Sequence, residues 1–349
     1  MKKTLSLLIT LALCLCLAAF SSGNDTPETS AFAVHFIDVG QADAALVLCD
    51  DEAMLIDGGN AADSSLIYAY LEKHSIGHLD YIVCTHPHED HVGGLASALN
   101  YATVDNALSP VTDYDSKAFE SFVKYLDKQD VSITVPSAGD TFTLGSATVE
   151  VLGPIDDSVA EPNNLSIVLR VAYGDTSFLF TGDAEREEEQ DIVDAGYFLQ
   201  STVLKVGHHG STNSTTYPFL REIMPEYAVI SVGADNTYGH PAEDVLSRLR
   251  DADVKVYRTD MQGDVICTSD GETVSFSVAR NADADTLGGI GSNSTQTDGE
   301  YVLNTNTMKF HYVYCSSVGQ MSDKNKSFYT GTREEVLAMG YTSCGRCNP

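Results

Sequence analysis

Four metal-ligand side chains fall within six consecutive residues: His86, His88, Asp90 and His91, in the run His-Pro-His-Glu-Asp-His from 86 to 91. They follow directly on an apolar segment, Tyr81-Ile-Val-Cys-Thr, and are followed by Gly93 and Gly94. A strand that leads into such a run carries all four side chains out of a sheet on one loop. Along extended backbone alternate residues share a face, so His86 and His88 turn to one side and suit a single metal. Asp90 and His91 begin the next turn and can reach a second metal, with Gly93 and Gly94 letting the backbone turn closely. A lone histidine is more often a satisfied core or surface residue, but four ligand-type residues in six positions fit neither role.

The charge balance narrows the chemistry. The 349 residues carry 50 Asp and Glu against 20 Lys and Arg, a formal net charge of −30. A basic nucleic-acid platform is disfavoured, because phosphate binding without metal relies on Lys and Arg. Phosphate chemistry would need a cation brought from outside. With 43% hydrophobic and 20% charged residues the chain is globular. Residues 1–23 read as a secretory signal: Lys2 and Lys3 start it, Leu5 to Phe20 form an apolar run, and Ala18 to Gly23 offer a small-residue cleavage zone. A secreted or cell-surface location is expected. The run is about 16 residues, short for a retained membrane anchor, and lipid attachment at Cys14 or Cys16 is a weaker option. No later stretch is apolar enough to cross a bilayer, so no transmembrane channel is expected in this chain.

Residues 24–30 form a polar spacer. Residues 31–280 alternate β-branched runs with amphipathic stretches, the pattern of a mixed α/β domain. Strands are predicted at Val34–Asp38, Ala45–Cys49, Ala53–Ile56, Tyr81–Cys84, Ser166–Tyr173, Ser177–Thr181, Thr202–Val206 and Tyr227–Val232. Helices are predicted at Ser64–His74, Lys117–Lys128, Glu185–Asp194 and Ala242–Arg250. Residues 281–299, rich in Gly, Ser, Asn, Thr and Asp, read as a flexible linker. Residues 300–349 form a second unit.

The run His86-Pro87-His88-Glu89-Asp90-His91 resembles the H-x-H-x-D-H signature of the metallo-β-lactamase superfamily. Within it the chain is similar to the soluble hydrolase domain of the ComEC/Rec2-type competence proteins, which contribute to DNA uptake. The matching segments are His35-Phe-Ile-Asp-Val-Gly-Gln-Ala-Asp-Ala, Leu55-Ile-Asp-Gly-Gly, Asn163-Asn-Leu-Ser-Ile-Val-Leu, Phe180-Thr-Gly-Asp-Ala-Glu, Leu204-Lys-Val-Gly-His-His-Gly-Ser and Ser231-Val-Gly-Ala-Asp-Asn-Thr-Tyr-Gly-His-Pro. The resemblance implies an αββα sandwich with a two-metal site at one edge. It implies that His86 and His88 hold the first metal, Asp90 and His91 the second, and that Asp183 bridges both. Asp57 would orient a histidine or the water. The resemblance thus implies Asp57, Asp90 and Asp183 as the catalytic carboxylates. No histidine lies between His91 and His208, where the better-known lactamase pattern has a further ligand. Either His208 or His209 would complete the first metal, and His240 the second. Two divalent ions are expected, the histidine-rich shell favouring zinc over manganese. His35, His74 and His78 read as structural or surface residues.

Two metals bridged by a carboxylate acidify a shared water and stabilise charge on attacking and leaving oxygens. The expected function is therefore a secreted metal-dependent hydrolase, a phosphodiesterase or nuclease that acts on DNA through a metal-bridging hydroxide. Asn163, Asn164, Ser211 and Thr212 are candidate substrate-side donors, and Lys205 meets either a phosphate or solvent. One fold hosts many reactions. A phosphorylcholine or teichoic-acid esterase is the enzymatic alternative, and a metal-stabilised cell-surface binding module the non-enzymatic one.

Cys49, Cys84 and Cys267 lie in apolar runs and read as buried thiols. The tail carries His311 and Cys315, then Cys344 and Cys347 as a C-x-x-C pair. Three cysteines plus a histidine at finger-like spacing favour one structural zinc over the disulfides common in exported chains. The tail resembles the small zinc domain of Ada-type DNA repair proteins, with His311 in place of one cysteine, and similar tails accompany secreted nucleases. Residues 24–299 hold 46 acidic and 13 basic side chains, net −33, whereas residues 300–349 hold 4 and 5, net +1. The acidic unit should engage phosphate through its metals, and any auxiliary grip should come from the tail.

Overall fold

Burial on both faces explains the continuous apolar runs. In the computed structural model, which describes residues 31–234, 236–288, 299–312, 316–319, 321–331 and 333–344, two large sheets lie face to face. The first runs in the order Val274–Val278, Val265–Ser269, Phe32–Phe36, Ala45–Cys49, Glu52–Ile56, His78–Val83, Thr103–Leu108, Ile133–Thr134. The second runs Lys255–Arg258, Tyr227–Ile230, Val203–Lys205, Thr176–Phe180, Val168–Tyr173, Ala147–Gly153, Thr141–Leu144.

Strand alternation divides the core into three slabs. Phe32, Val34, Phe36, Met54 and Val83 of the first sheet meet Val149, Leu169, Phe178, Phe180 and Val203 of the second. Residues of opposite parity face outward. Leu46, Leu55 and Ile82 pack beneath the helices Ser64–Lys73, Leu95–Tyr101 and Lys117–Asp127. Leu179, Leu204 and Ile230 pack beneath Arg186–Ala195, Tyr217–Ile223 and Glu243–Asp251. The four layers form the expected αββα sandwich.

Four adjacent strands of each sheet are parallel: Glu52–Ile56 through Ile133–Thr134 in one, and Thr176–Phe180 through Lys255–Arg258 in the other. Their carboxyl ends open on one edge, the usual place for a site in such sheets. Each predicted helix is present within a residue or so at its ends, and Ser116 caps one by accepting from Phe119 N at 3.2 Å. The strands Thr103–Leu108, Thr141–Leu144, Ala147–Gly153, Lys255–Arg258, Val265–Ser269 and Val274–Val278 and the short helices Leu95–Tyr101 and Tyr217–Ile223 are not among the predicted elements, although Val274-Ser-Phe-Ser-Val alternates as a half-buried strand does.

The expected linker needs a correction. Residues up to 288 are held against the second sheet: Arg258 reaches the carbonyls of Thr286 and Gly288, and Arg250 Nη2 donates to Leu287 O at 2.8 Å. The grip is on backbone oxygens, which a polar composition does not reveal. The expected signal, the spacer through Ser30 and residues 289–298 of the linker lie outside the described residues. A further sheet, Lys326–Gly331, Gly299–Asn304, Lys309–Tyr312 and Thr342–Ser343, encloses a small core of Tyr301, Leu303, Phe310 and Val336. Among the described residues no helix is long and apolar enough to cross a membrane.

Candidate metal centre

The strand His78–Val83 delivers the histidine run to the open edge. Cys84 Sγ donates to His86 O at 3.1 Å, and His88 stands at the start of a short helix, Glu89–Val92, that presents Asp90 and His91. The loop after Glu52–Ile56 grips this run through Gly58 N to His91 O at 2.7 Å, and Asp43 N reaches Asp90 O at 3.1 Å. Gly93 and Gly94 have ordinary right-handed backbone. A β-carbon at Gly94 would strike the carbonyl of Gly58, so glycine serves close approach here and not turning.

Asp183 follows the strand Thr176–Phe180. Gly182 before it is left-handed at φ +50°, and Ser166 Oγ accepts from Asp183 N at 3.0 Å. His208 and His209 both occupy the left-handed region, at φ 49° and 53°. Such backbone persists in non-glycine residues only where the surroundings hold it. Here Gly182 O accepts from His208 N at 3.1 Å, Arg248 Nη1 donates to the carbonyls of Ser214 and Thr215, and buried Glu189 accepts from the amides of Thr215 and Thr216.

The side chains form two groups that share Asp183. In the first, His86 Nε2 lies 3.1 Å from His88 Nδ1 and 3.9 Å from Asp183 Oδ2, and His208 Nε2 lies 3.6 Å from that oxygen. In the second, His91 Nε2 is 3.3 Å from Asp183 Oδ1, and His209 Nε2 is 3.3 Å from Asp90 Oδ2 and 3.7 Å from Asp183 Oδ2. One ligand atom from each of Asp90, His91, Asp183 and His209 lies within 4.8 Å of the others. Of the expected pair, His208 lies with the first group, whereas in the second His209, rather than the expected His240, lies with Asp90 and His91; His240 stands beside His208 with ring centroids 5.8 Å apart. The left-handed turn sends two neighbouring rings to different groups, which adjacency in sequence does not reveal.

The donor chemistry fits divalent ions. His91 Nδ1 donates to Asp57 Oδ2 at 2.8 Å, while Thr85 N and Oγ1 donate to the same carboxylate at 2.8 and 2.7 Å. His209 Nδ1 donates to Ser231 O at 3.1 Å. In neutral rings these bonds put the lone pair on Nε2, the atom that faces carboxylate oxygens. His91 Nε2, His209 Nε2 and Asp183 Oδ1 are buried with no hydrogen-bond partner. Lone pairs aimed at carboxylates repel unless a cation lies among them. Burial disfavours charge on His209, but the carboxylates of Asp183 and Asp43 outweigh it and hold this imidazole up to about 10. A field negative enough to retain that proton favours a divalent ion, whose binding displaces protons.

Asp43, quoted above within a motif but given no role, completes the second group from behind. Its Oδ1 lies 3.5 Å from His209 Nδ1, and its Oδ2 accepts from Lys205 Nζ at 2.8 Å. Lys205 is 5% exposed and also donates to Val206 O at 2.9 Å, so its charge is committed inside the protein and meets neither phosphate nor solvent. Of the other expected substrate contacts, Asn163 Nδ2 donates to Glu185 Oε1 at 3.1 Å, Asn164 Oδ1 accepts from Glu185 N at 2.9 Å, and buried Ser211 accepts from Asn213 N at 3.3 Å. These bonds shape loops. In the tail, His311 is buried with Nδ1 unpartnered, and Cys344 N donates to Phe310 O at 3.0 Å, next to His311 in the chain. Cys315 and Cys347 lie outside the described residues.

Residues 37–234 match the metallo-beta-lactamase superfamily, and the chain belongs to it. It is 31% identical over 250 residues to ComE operon protein 3 of Bacillus subtilis (strain 168), covering 66% of this chain and 32% of that protein. Competence protein ComA of Neisseria gonorrhoeae is 32% identical over 239 residues, covering 68% of this chain and 32% of ComA. The chain thus spans about a third of the length of these relatives. Among solved structures, the metallo-beta-lactamase fold protein YhfI of Bacillus subtilis aligns with TM-score 0.46 and 13% identity, over 70% of this chain and 100% of YhfI. The chain is a member of the metallo-beta-lactamase superfamily related to competence proteins.

Proposed function

We propose that this chain is a secreted metal-dependent phosphodiesterase of the nuclease type that acts on DNA. The observation that carries the reading is the set of buried atoms without hydrogen-bond partners at His91 Nε2, His209 Nε2 and Asp183 Oδ1, with His86, His88 and His208 gathered on the other side of Asp183. His86, His88, His208 and Asp183 would hold one divalent ion, and Asp90, His91, His209 and Asp183 the other. Ions bound there would polarise a phosphoryl oxygen and acidify water. Asp57 fixes the His91 ring, Asp43 backs His209, and the Asp90 side chain, 34% exposed, stands where solvent and substrate enter. DNA as substrate is supported by the names of the competence relatives, while the acidity of residues 24–299 leaves any phosphate binding to the ions. Residues 300–349, net +1, would form a separate unit that holds one zinc through His311, Cys315, Cys344 and Cys347 and adds a grip on nucleic acid.

The test uses residues 24–349 purified with metal, assayed on single- and double-stranded DNA, RNA, a small phosphodiester and a cephalosporin. DNA cleavage that a chelator abolishes and zinc or manganese restores is expected. Cephalosporin turnover without diesterase activity would overturn the substrate reading.

A further inference from the structure

We propose that Tyr238 is a stacking platform for an unpaired nucleobase, which makes single-stranded nucleic acid the preferred substrate of the metal centre. The inference rests on the phosphodiesterase reading above.

Tyr238 lies on the turn between the strand Tyr227–Ile230 and the helix Glu243–Asp251, and 72% of its surface is exposed. Its ring stacks on His240 with centroids 5.7 Å apart and planes 23° apart. His240 in turn meets the ring of His208, whose Nε2 is 3.6 Å from Asp183. The tyrosine therefore stands two ring contacts from the centre.

Scattered exposed aromatics are ordinary, but this one is fixed. Asn236 Nδ2 donates to Gly233 O at 3.0 Å and to His240 O at 2.6 Å, and its Oδ1 accepts from Tyr238 N at 3.2 Å and His240 N at 3.0 Å. Left-handed Gly239 at φ +74° closes the turn. A ring already held in place loses little freedom when a partner stacks on it.

The chemistry of the partner follows from what the site lacks. Lys205 is committed to Asp43, and Arg248 to backbone carbonyls. A neutral π face adds affinity without charge, and every base has one to offer, provided its neighbours in a duplex do not cover it. A quaternary ammonium group would want a cage of several rings, whereas Tyr238 has His240 as its one ring neighbour among the described residues.

Single abasic residues walked along a single-stranded oligonucleotide test the proposal on the metal-loaded chain. One position near the scissile bond should raise KM about 10-fold with kcat retained. Tyr238→Ala should raise KM for the intact strand by a similar factor and show no further abasic penalty, with Tyr238→Phe and Tyr238→Trp restoring both. 2-Aminopurine at that position, in a phosphorothioate-protected strand, should be quenched by wild type and not by Tyr238→Ala. An unchanged KM in Tyr238→Ala, or an abasic penalty that survives in it, overturns the proposal, as does a Tyr238-dependent preference for phosphocholine esters. Failure of wild type to cleave any nucleic acid sinks the underlying reading instead.

Discussion

Asp183→Asn is expected to lower phosphodiester turnover at least about 100-fold, beyond the usual cost of disturbing a residue that merely orients a ligand. The reason is position. Asp183 Oδ2 lies within 3.9 Å of His86, His208 and His209, and Oδ1 lies 3.3 Å from His91. Its charge is the one feature common to both groups, and the amide keeps the shape while removing the charge. Asp57→Asn should cost less, about 10–100-fold, because the His91 ring would lose its orienting carboxylate and keep its place in the core. Steady-state kinetics on a small phosphodiester, with circular dichroism to confirm folding, separates the two. Equal losses would mean that Asp183 has no special place between the groups.

Lys205→Met is expected to destabilise the fold by about 3–5 kcal/mol, because it leaves the Asp43 carboxylate buried and unpaired. The Lys205 and Asp43 side chains are 5% and 6% exposed, and their contact is 2.8 Å. Replacing both partners, as Lys205→Met with Asp43→Leu, should recover much of the loss, since a buried pair costs desolvation that an apolar pair does not. Burial alone would raise the Asp43 carboxyl, but Lys205 and then His209 outweigh it and hold it below the usual carboxylate range. A carboxyl lowered in this way contributes stability above that range and loses it on acidification. The gap between wild type and Lys205→Met should therefore narrow as pH falls. Urea unfolding in the presence of a chelator measures it. A loss below about 1 kcal/mol, the scale of a surface pair, would place the ammonium in solvent.

What was legible in the sequence was local. The histidine run is diagnostic because six residues hold four ligands, and Asp57 and Asp183 stand out because each ends an apolar run beside a glycine. The long helices and buried strands carry their periods openly. The rest depends on tertiary geometry. Asp43 reads as one more turn carboxylate, since Lys205 lies 162 residues away. The same pairing is invisible from the lysine, which on an isolated strand has no reason to point inward. The division of His208, His209 and His240 hangs on two left-handed residues, a conformation their residue type does not announce. Residues 281–288 look like linker because what holds them is their carbonyls.

Metal content per chain, measured by plasma mass spectrometry on wild type and two double variants, tests the central claim most directly. His86→Ala with His88→Ala removes donors from one group, and Asp90→Ala with His209→Ala removes donors from the other. Two separable sites on the flanks of Asp183 predict that each pair lowers the content relative to wild type by about one ion, while any zinc in the tail stays constant across the series. Wild-type content in both double variants would show that these side chains hold no metal.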